Sequence, residues 1–173
     1  MSVEDACHLL EERGALDRQP EDHSARIIEH VRGLLGGWMP SDLEAFYRER
    51  VRRVAEFWAT APTWNERMGW RTEDRIITQL LHVQAVPILS DGCGNLFGLD
   101  LSARACPPAV YFFDHEDGFS RPHWAAGSSL GKFLLLMADH DRSYDEHWPV
   151  DWWLSIDPDI SKCPRAPPLW LAG

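Results

Sequence analysis

Pro87-Ile88-Leu89-Ser90-Asp91-Gly92-Cys93-Gly94-Asn95-Leu96-Phe97-Gly98-Leu99-Asp100 decides the fold. Val83, Ala85, Pro87 and Ile88 lead into a strong turn signal at residues 90–95. Leu96, Phe97, Leu99 and Leu101 then read as a strand. Pro107 and Pro108 punctuate the chain, and Val110-Tyr111-Phe112-Phe113 is a second strand of sheet-favouring residues. Asp114 to Gly118 turns the chain again. Short strands joined by short loops lack the long crossover that parallel pairing requires, so the spacing predicts an antiparallel meander.

Helices flank this centre. Ile27, Ile28, Val31, Leu34 and Leu35 form one stripe from Ser24 to Leu35, with Asp22 or Ser24 able to cap it and Gly36-Gly37 to stop it. Ser41 and Glu44 have capping-box spacing after Pro40. Leu43, Phe46, Tyr47, Val51, Val54, Ala55 and Trp58 then recur at three- and four-residue steps, which predicts a helix over about residues 41–59. Residues 60–75 are a connection bearing Trp64 and Trp70, and residues 74–83 read as a short helix or a turn. A last helix starts near Ser128 or Ser129, buries Leu130, Phe133, Leu134, Met137 and Ala138, and ends near Asp139 or His140. Residues 1–21 read as a loosely attached irregular segment, with Val3, Ala6, Leu9 and Leu10 able to make a short helix at most. Residues 148–173 are a tail rich in Trp and Pro that packs on the domain of residues 22–147. The expected fold is a single α+β domain, a central antiparallel sheet of short strands with helices packed against it.

The order of these pieces resembles the SUKH superfamily, which contains bacterial toxin-immunity proteins and the fungal cell-wall assembly regulator. Met39-Pro40-Ser41-Asp42-Leu43 with Phe46-Tyr47 is similar to the family's opening segment, and residues 87–100 to its central strand, Asp-Gly-x-Gly-Asn turn and x-Leu-Asp strand. Residues 110–116 resemble the next strand with its Asp-His end, and residues 125–134 the lead-in to the last helix. Leu130 stands where an aromatic often follows the serine, and the Arg-rich helix and the Trp-rich tail lie outside the pattern. The resemblance covers roughly residues 38–140. It implies a cytoplasmic, non-catalytic protein that binds and neutralises a toxin, many such toxins acting on nucleic acid. It supplies no catalytic residues and no cofactor.

Composition is compatible with that expectation. The 173 residues are 45% hydrophobic and 25% charged, which excludes wholesale disorder, and no apolar run approaches the roughly 20 residues of a membrane span. The N-terminus carries early acids and no signal-like apolar stretch, from which an intracellular chain is expected. Acids outnumber Lys and Arg by 27 to 17, a net charge of -10 that suits a basic protein partner and argues against a broad nucleic-acid footprint. Arg48, Arg50, Arg52 and Arg53 are the one basic cluster, and on a helix they would spread over more than one face. Cys7, Cys93, Cys106 and Cys163 contain no C-x-x-C pair and are expected to be free thiols.

Several residue groups invite a chemical reading. Gly92 and Gly94 in Asp91-Gly92-Cys93-Gly94-Asn95 are turn residues, and the phosphate-cradling glycine pattern is missing. Asp114-His115-Glu116-Asp117 would need a distant ligand such as His82, Cys93 or His123 to hold a metal. His140, Asp141, Asp145, Glu146 and His147 do not match His-Glu-x-x-His. Cys93 and Cys106 could face one another on adjacent strands, but Cys93 has no local base. Hence no cofactor and no metal are expected, and a metal- or cysteine-dependent hydrolase or an adaptor without a toxin partner are the alternatives. The expected contact surface combines Trp64, Trp70, Trp148 and Trp152 as aromatic anchors with Asp91 and Asn95 of the turn. Asp100, Asp114, Glu116 and Asp117, with Glu66 and Asp74, complete an acidic rim. A monomer is favoured over a homodimer, and neither a nucleic-acid nor a membrane partner is expected.

Overall fold

A computed structural model describes residues 1–60, 64–65, 69–70, 73–102, 107–140 and 150–171. Its elements run α1 (Val3–Glu12), β1 (Leu16–Arg18), α2 (Ser24–Leu34), α3 (Ser41–Arg48), β2 (Val51–Val54), β3 (Phe57–Ala59), β4 (Trp64–Asn65) and β5 (Gly69–Trp70). They continue with α4 (Glu73–Leu81), β6 (Ala85–Ser90), β7 (Leu96–Asp100), β8 (Val110–Phe113), β9 (Trp124–Gly127), α5 (Leu130–His140) and α6 (Val150–Ile156). Two 3-10 turns, Ile160–Lys162 and Leu169–Leu171, follow. Seven strands form one antiparallel sheet in the order β1-β2-β3-β6-β7-β8-β9, and β4 pairs with β5 separately. The result is one α+β domain, the class that the central meander predicts.

The meander forms where the sequence places it. Asp100 to Leu96 pairs with Ala85 to Ser90, and Leu96 to Leu99 pairs with Phe113 to Val110. Pro87 occupies a central strand without breaking it, because the register shifts between Pro87 and Leu89 and the missing donor falls at that irregularity. Consecutive residues of β7 serve opposite layers. Phe97 packs against Phe133 of α5, with ring centroids 5.1 Å apart. Gly98 faces α4, where an added Cβ would lie 2.9 Å from Leu80 and 2.8 Å from the Phe113 ring. Glycine there lets helix and sheet close on one another.

The predicted helix over residues 41–59 is corrected. Only Ser41–Arg48 is helical, and the remainder is the hairpin β2–β3. Val51, Val54, Phe57 and Trp58 are β-branched or aromatic and favour strands. Arg50 at φ 53° and Ala55 at φ 49° turn the chain at either end of β2. Left-handed non-glycine residues of this kind carry no periodic signal, so the helical spacing continued misleadingly across them. The capping box is also corrected: Ser41 opens the helix after Pro40 and makes no cap bond, while Glu44 accepts from Arg32 at 2.8 Å and from Arg48 at 2.5 Å.

The N-terminal segment is corrected from irregular to helical. Ser2 and Asp5 form a reciprocal capping box, and Val3, Ala6, Cys7 and Leu10 are buried. α1 packs on α5, and β1 then adds the edge strand of the sheet. Asp5 provides the N3 carboxylate that the box needs, a signal present in the sequence but shorter than the Ser-x-x-Glu form. In the tail, Trp153 is buried against Trp124, Trp152 and Trp170, with centroids 6.3, 5.7 and 5.7 Å away. No helix among the described residues is long and apolar enough to cross a membrane.

Candidate functional site

Antiparallel pairing brings the β6–β7 turn and the β8–β9 turn to one end of the sheet, and hydrogen bonds join them. Asp91 accepts from the Cys93 and Asn95 backbone N–H groups, both at 2.9 Å, and from Asn95 Nδ2 at 2.8 Å. Gly94 takes φ 98°, which closes this turn at no steric cost. Asn95 Oδ1 then reaches across: it accepts from the His115 N–H at 3.2 Å and lies 2.8 Å from His115 Nδ1. The second turn is braced in the same way. Asp114 accepts from the Glu116 N–H at 2.8 Å, and Asp117 accepts from Ser120 N–H and Oγ at 3.2 and 3.0 Å. His123 Nε2 lies 2.7 Å from Asp117, and this contact, with the Ser120 bonds, holds the Asp117 carboxyl below the usual carboxylate range.

These contacts give the carboxylates two different roles. Asp91, Asp114 and Asp117 hold the backbone of their turns, and Asn95 ties the turns together. Glu116 is exposed and makes no side-chain bond among the described residues, so it is the carboxylate free to meet a partner. Cys93 is exposed on the same end. The two turns therefore form a rigid acidic lobe.

Other predicted rim and anchor residues lie elsewhere. Asp100, expected on the rim, is 4% exposed and is corrected to an interior role. It accepts from Arg165 at 2.9 Å and from Ser102 N–H and Oγ at 2.9 and 3.0 Å. Arg165 also donates to the Val83 carbonyl at 2.7 Å, so this pair fastens the tail to the sheet. Trp152 is half-buried against Trp153. The backbones of Trp64 and Trp70 pair with each other, and Asp74 is in α4. Glu66 and Trp148 lie outside the described residues, as do Cys106 and residues 141–147 of the second acidic cluster.

A second polar cluster, which sequence reading missed, joins α5 to the tail. Asp157 is fully buried and accepts from Ser128 N–H at 2.5 Å, Ser128 Oγ at 2.6 Å and Lys132 Nζ at 3.0 Å. Lys132 also reaches Asp159 at 3.1 Å and Ser128 Oγ at 3.2 Å. A cleft of about 390 Å³ opens beside it, lined in part by Met1, Pro108, Ser129, Lys162 and Cys163. Serine beside lysine suggests nucleophilic chemistry, which would need a neutral amine as base. Burial lowers the Lys132 ammonium, but the bonds to Asp157 and Asp159 outweigh it and leave the group raised. The lysine is a fixed cation here, and the cluster is a buried clamp. Ser128 stands just before α5 and Lys132 in its first turn, yet nothing in sequence ties either to Asp157, 29 residues after the serine.

The thiols and histidines follow the same pattern. Burial pushes Cys7 and Cys163 up to about 12, away from the thiolate form that attacks. His115 and His123 are engaged by Asn95 and Asp117. No group of three or more metal-binding side chains occurs among the described residues.

The basic segment is displaced from its expected place. Arg52 and Arg53 are exposed on β2, with their guanidinium carbons 5.7 and 5.6 Å from the ring centre of Trp58. Trp58, expected on a buried helical stripe, is 46% exposed on β3. The signal that could have found it is the pair of exposed arginines between two buried valines in β2.

Comparison of the chain with family models, curated proteins and solved structures finds no match.

Proposed function

We propose that this chain is a non-catalytic protein-binding module, an immunity protein of the SUKH kind whose acidic lobe covers a basic surface of a toxin domain. The observation that carries this reading is the braced double turn at one end of the sheet. Internal bonds fix its backbone, so little order has to be gained on binding, and Glu116 projects from it on a chain of net charge -10. Support also comes from the engaged histidines and from the raised Cys7 and Cys163 thiols, which disfavour those two cysteines as nucleophiles. The cytoplasm as its compartment belongs to the same proposal.

The test begins with stoichiometric capture from native lysate, followed by an activity assay of the captured protein with and without this chain. A basic partner whose activity disappears on binding is the expected result. Glu116→Lys is the informative variant, because it reverses charge without cutting a turn bond. It is expected to slow association several-fold at low salt, with the difference fading as salt screens the charges. Capture of a partner whose activity is untouched, or association indifferent to Glu116→Lys at low salt, would overturn the reading.

A further inference from the structure

We propose that the polar cleft between β1 and the β2–β3 turn is a carboxylate-binding site, built to take an acidic side chain of a partner protein. The cleft measures about 310 Å³ and is lined in part by Arg13, Leu16, Asp17, Arg53, Ala55 and Ala138. It lies apart from the acidic lobe and has the opposite polarity.

Arg53 is the cation that sets this cleft apart. In a chain with 27 acids and 17 bases, cations readily find internal carboxylates. Arg18 meets Glu49 at 2.6 Å, Arg32 meets Glu44 at 2.8 Å, Lys132 meets Asp157 at 3.0 Å and Arg165 meets Asp100 at 2.9 Å. Arg53 has no such partner among the described residues. It lies over the Trp58 ring instead, 5.6 Å from the ring centre. A ring attracts the cation but takes none of the guanidinium's N–H donors, so the donor fork stays available to an outside acceptor. The register places Asp17 opposite Arg53 and Arg53 opposite Trp58, so the cleft, the cation and the exposed indole adjoin one another across the strands.

The surrounding charges select the ligand. Arg13 is held by Asp139 at a long 3.4 Å, and Arg52 by Asp17 at 3.5 Å. Of the charged residues that line the cleft, two guanidiniums, Arg13 and Arg53, stand with one carboxylate, Asp17. The small positive excess matches a monoanion. A phosphate ester, which carries about -1.5 to -2 charges at neutral pH, calls for more concentrated positive charge than this. A carboxylate can accept two parallel N–H bonds from the Arg53 fork while Trp58 covers the apolar part of an adjoining residue.

The test follows the arginine Nε–Hε and tryptophan indole signals of the 15N-labelled full chain by NMR. The probes are acetyl-Ala-Glu-Ala-amide, the corresponding lysine peptide and inorganic phosphate. The glutamate peptide is expected to shift Arg13, Arg53 and Trp58 saturably, with phosphate weaker and the lysine peptide silent. Arg53→Gln is expected to weaken the glutamate peptide about tenfold while the backbone amide spectrum stays native-like. Trp58→Ala tests the indole separately and is expected to weaken it less. No saturable shift, binding unchanged in a folded Arg53→Gln variant, or phosphate bound as tightly as the peptide would each overturn the proposal. Those outcomes leave the acidic lobe untouched, because Glu116 and its turns share no residue with this cleft.

Discussion

Tyr47 shows how burial and bonding separate at single residues. The side chain is 3% exposed, packs edge-on to Phe46 at 5.8 Å, and its hydroxyl has no hydrogen-bond partner among the described residues. Desolvation accordingly raises its pKa. A buried hydroxyl without a partner costs stability, whereas phenylalanine fills the same space without that cost. Tyr47→Phe is expected to raise stability by about 1 kcal/mol, read as a higher urea midpoint at unchanged slope. A lowered midpoint would mean that the hydroxyl is satisfied. The thiols differ by the same logic. Cys93 is exposed, whereas Cys7 and Cys163 are pushed up to about 12. Iodoacetamide on the native protein at mildly alkaline pH is expected to label Cys93 well before those two, as peptide mass spectrometry would show. Equal labelling of Cys7 would mean that α1 opens readily.

At the scale of elements, the contact between α1 and α5 decides whether the N-terminus belongs to the domain. Gly131 lies in the first turn of α5, and a Cβ there would approach the Ser2 and Met1 carbonyl oxygens to 2.6 and 2.8 Å. Those are backbone atoms, which cannot rotate away. Gly131→Ala should gain helix propensity, yet the clash is larger, so a net loss of about 1–3 kcal/mol is expected. Hydrogen exchange should show the loss first as faster exchange in α1. Faster exchange across the sheet with α1 still protected would contradict that picture. The same contact explains why the firm attachment of α1 escaped the sequence reading. Its own apolar stripe is short, and its burial depends on a glycine 129 residues beyond Ser2 that has no local signature.

For the whole molecule, the charge balance sets the response to acid. His123 and Ser120 hold the Asp117 carboxyl low, the two lysines hold Asp159 low, Arg48 and Arg32 hold Glu44 low, and Ser24 holds Asp22 low. These groups ionise more readily folded than unfolded. Their stabilisation is therefore present above the ordinary carboxylate values of 3.8 and 4.5 and is lost as pH falls through the lowered folded values. Asp42 opposes them, since burial raises it and its proton returns earlier in the folded chain. Asp22 is exposed and Glu44, Asp117 and Asp159 are only half-buried, so each contributes little alone. Together they predict a urea midpoint that falls as pH drops below about 4.5. A midpoint flat below that pH would show that acid stability is set by groups other than these.

The sequence alone determined the α+β class, the meander and the approximate places of α2 and α5, because these rest on local signals: apolar alternation, glycine turns and helical stripes. It also singled out Asp91, Asn95, Asp114, Glu116 and Asp117. Only the structure decided that four of these brace the backbone and that Glu116 projects freely: Asp91, Asp114 and Asp117 bond within their own turns, and Asn95 reaches His115, 20 residues on. Tertiary structure likewise took Asp100 from the expected rim into a buried pair with Arg165, 65 residues on. It also ended the Arg-rich helix at Arg48, through two left-handed residues that leave no periodic trace. Local propensity reads one segment at a time, whereas a charge becomes a brace, a clamp or a contact only when the fold supplies its partner.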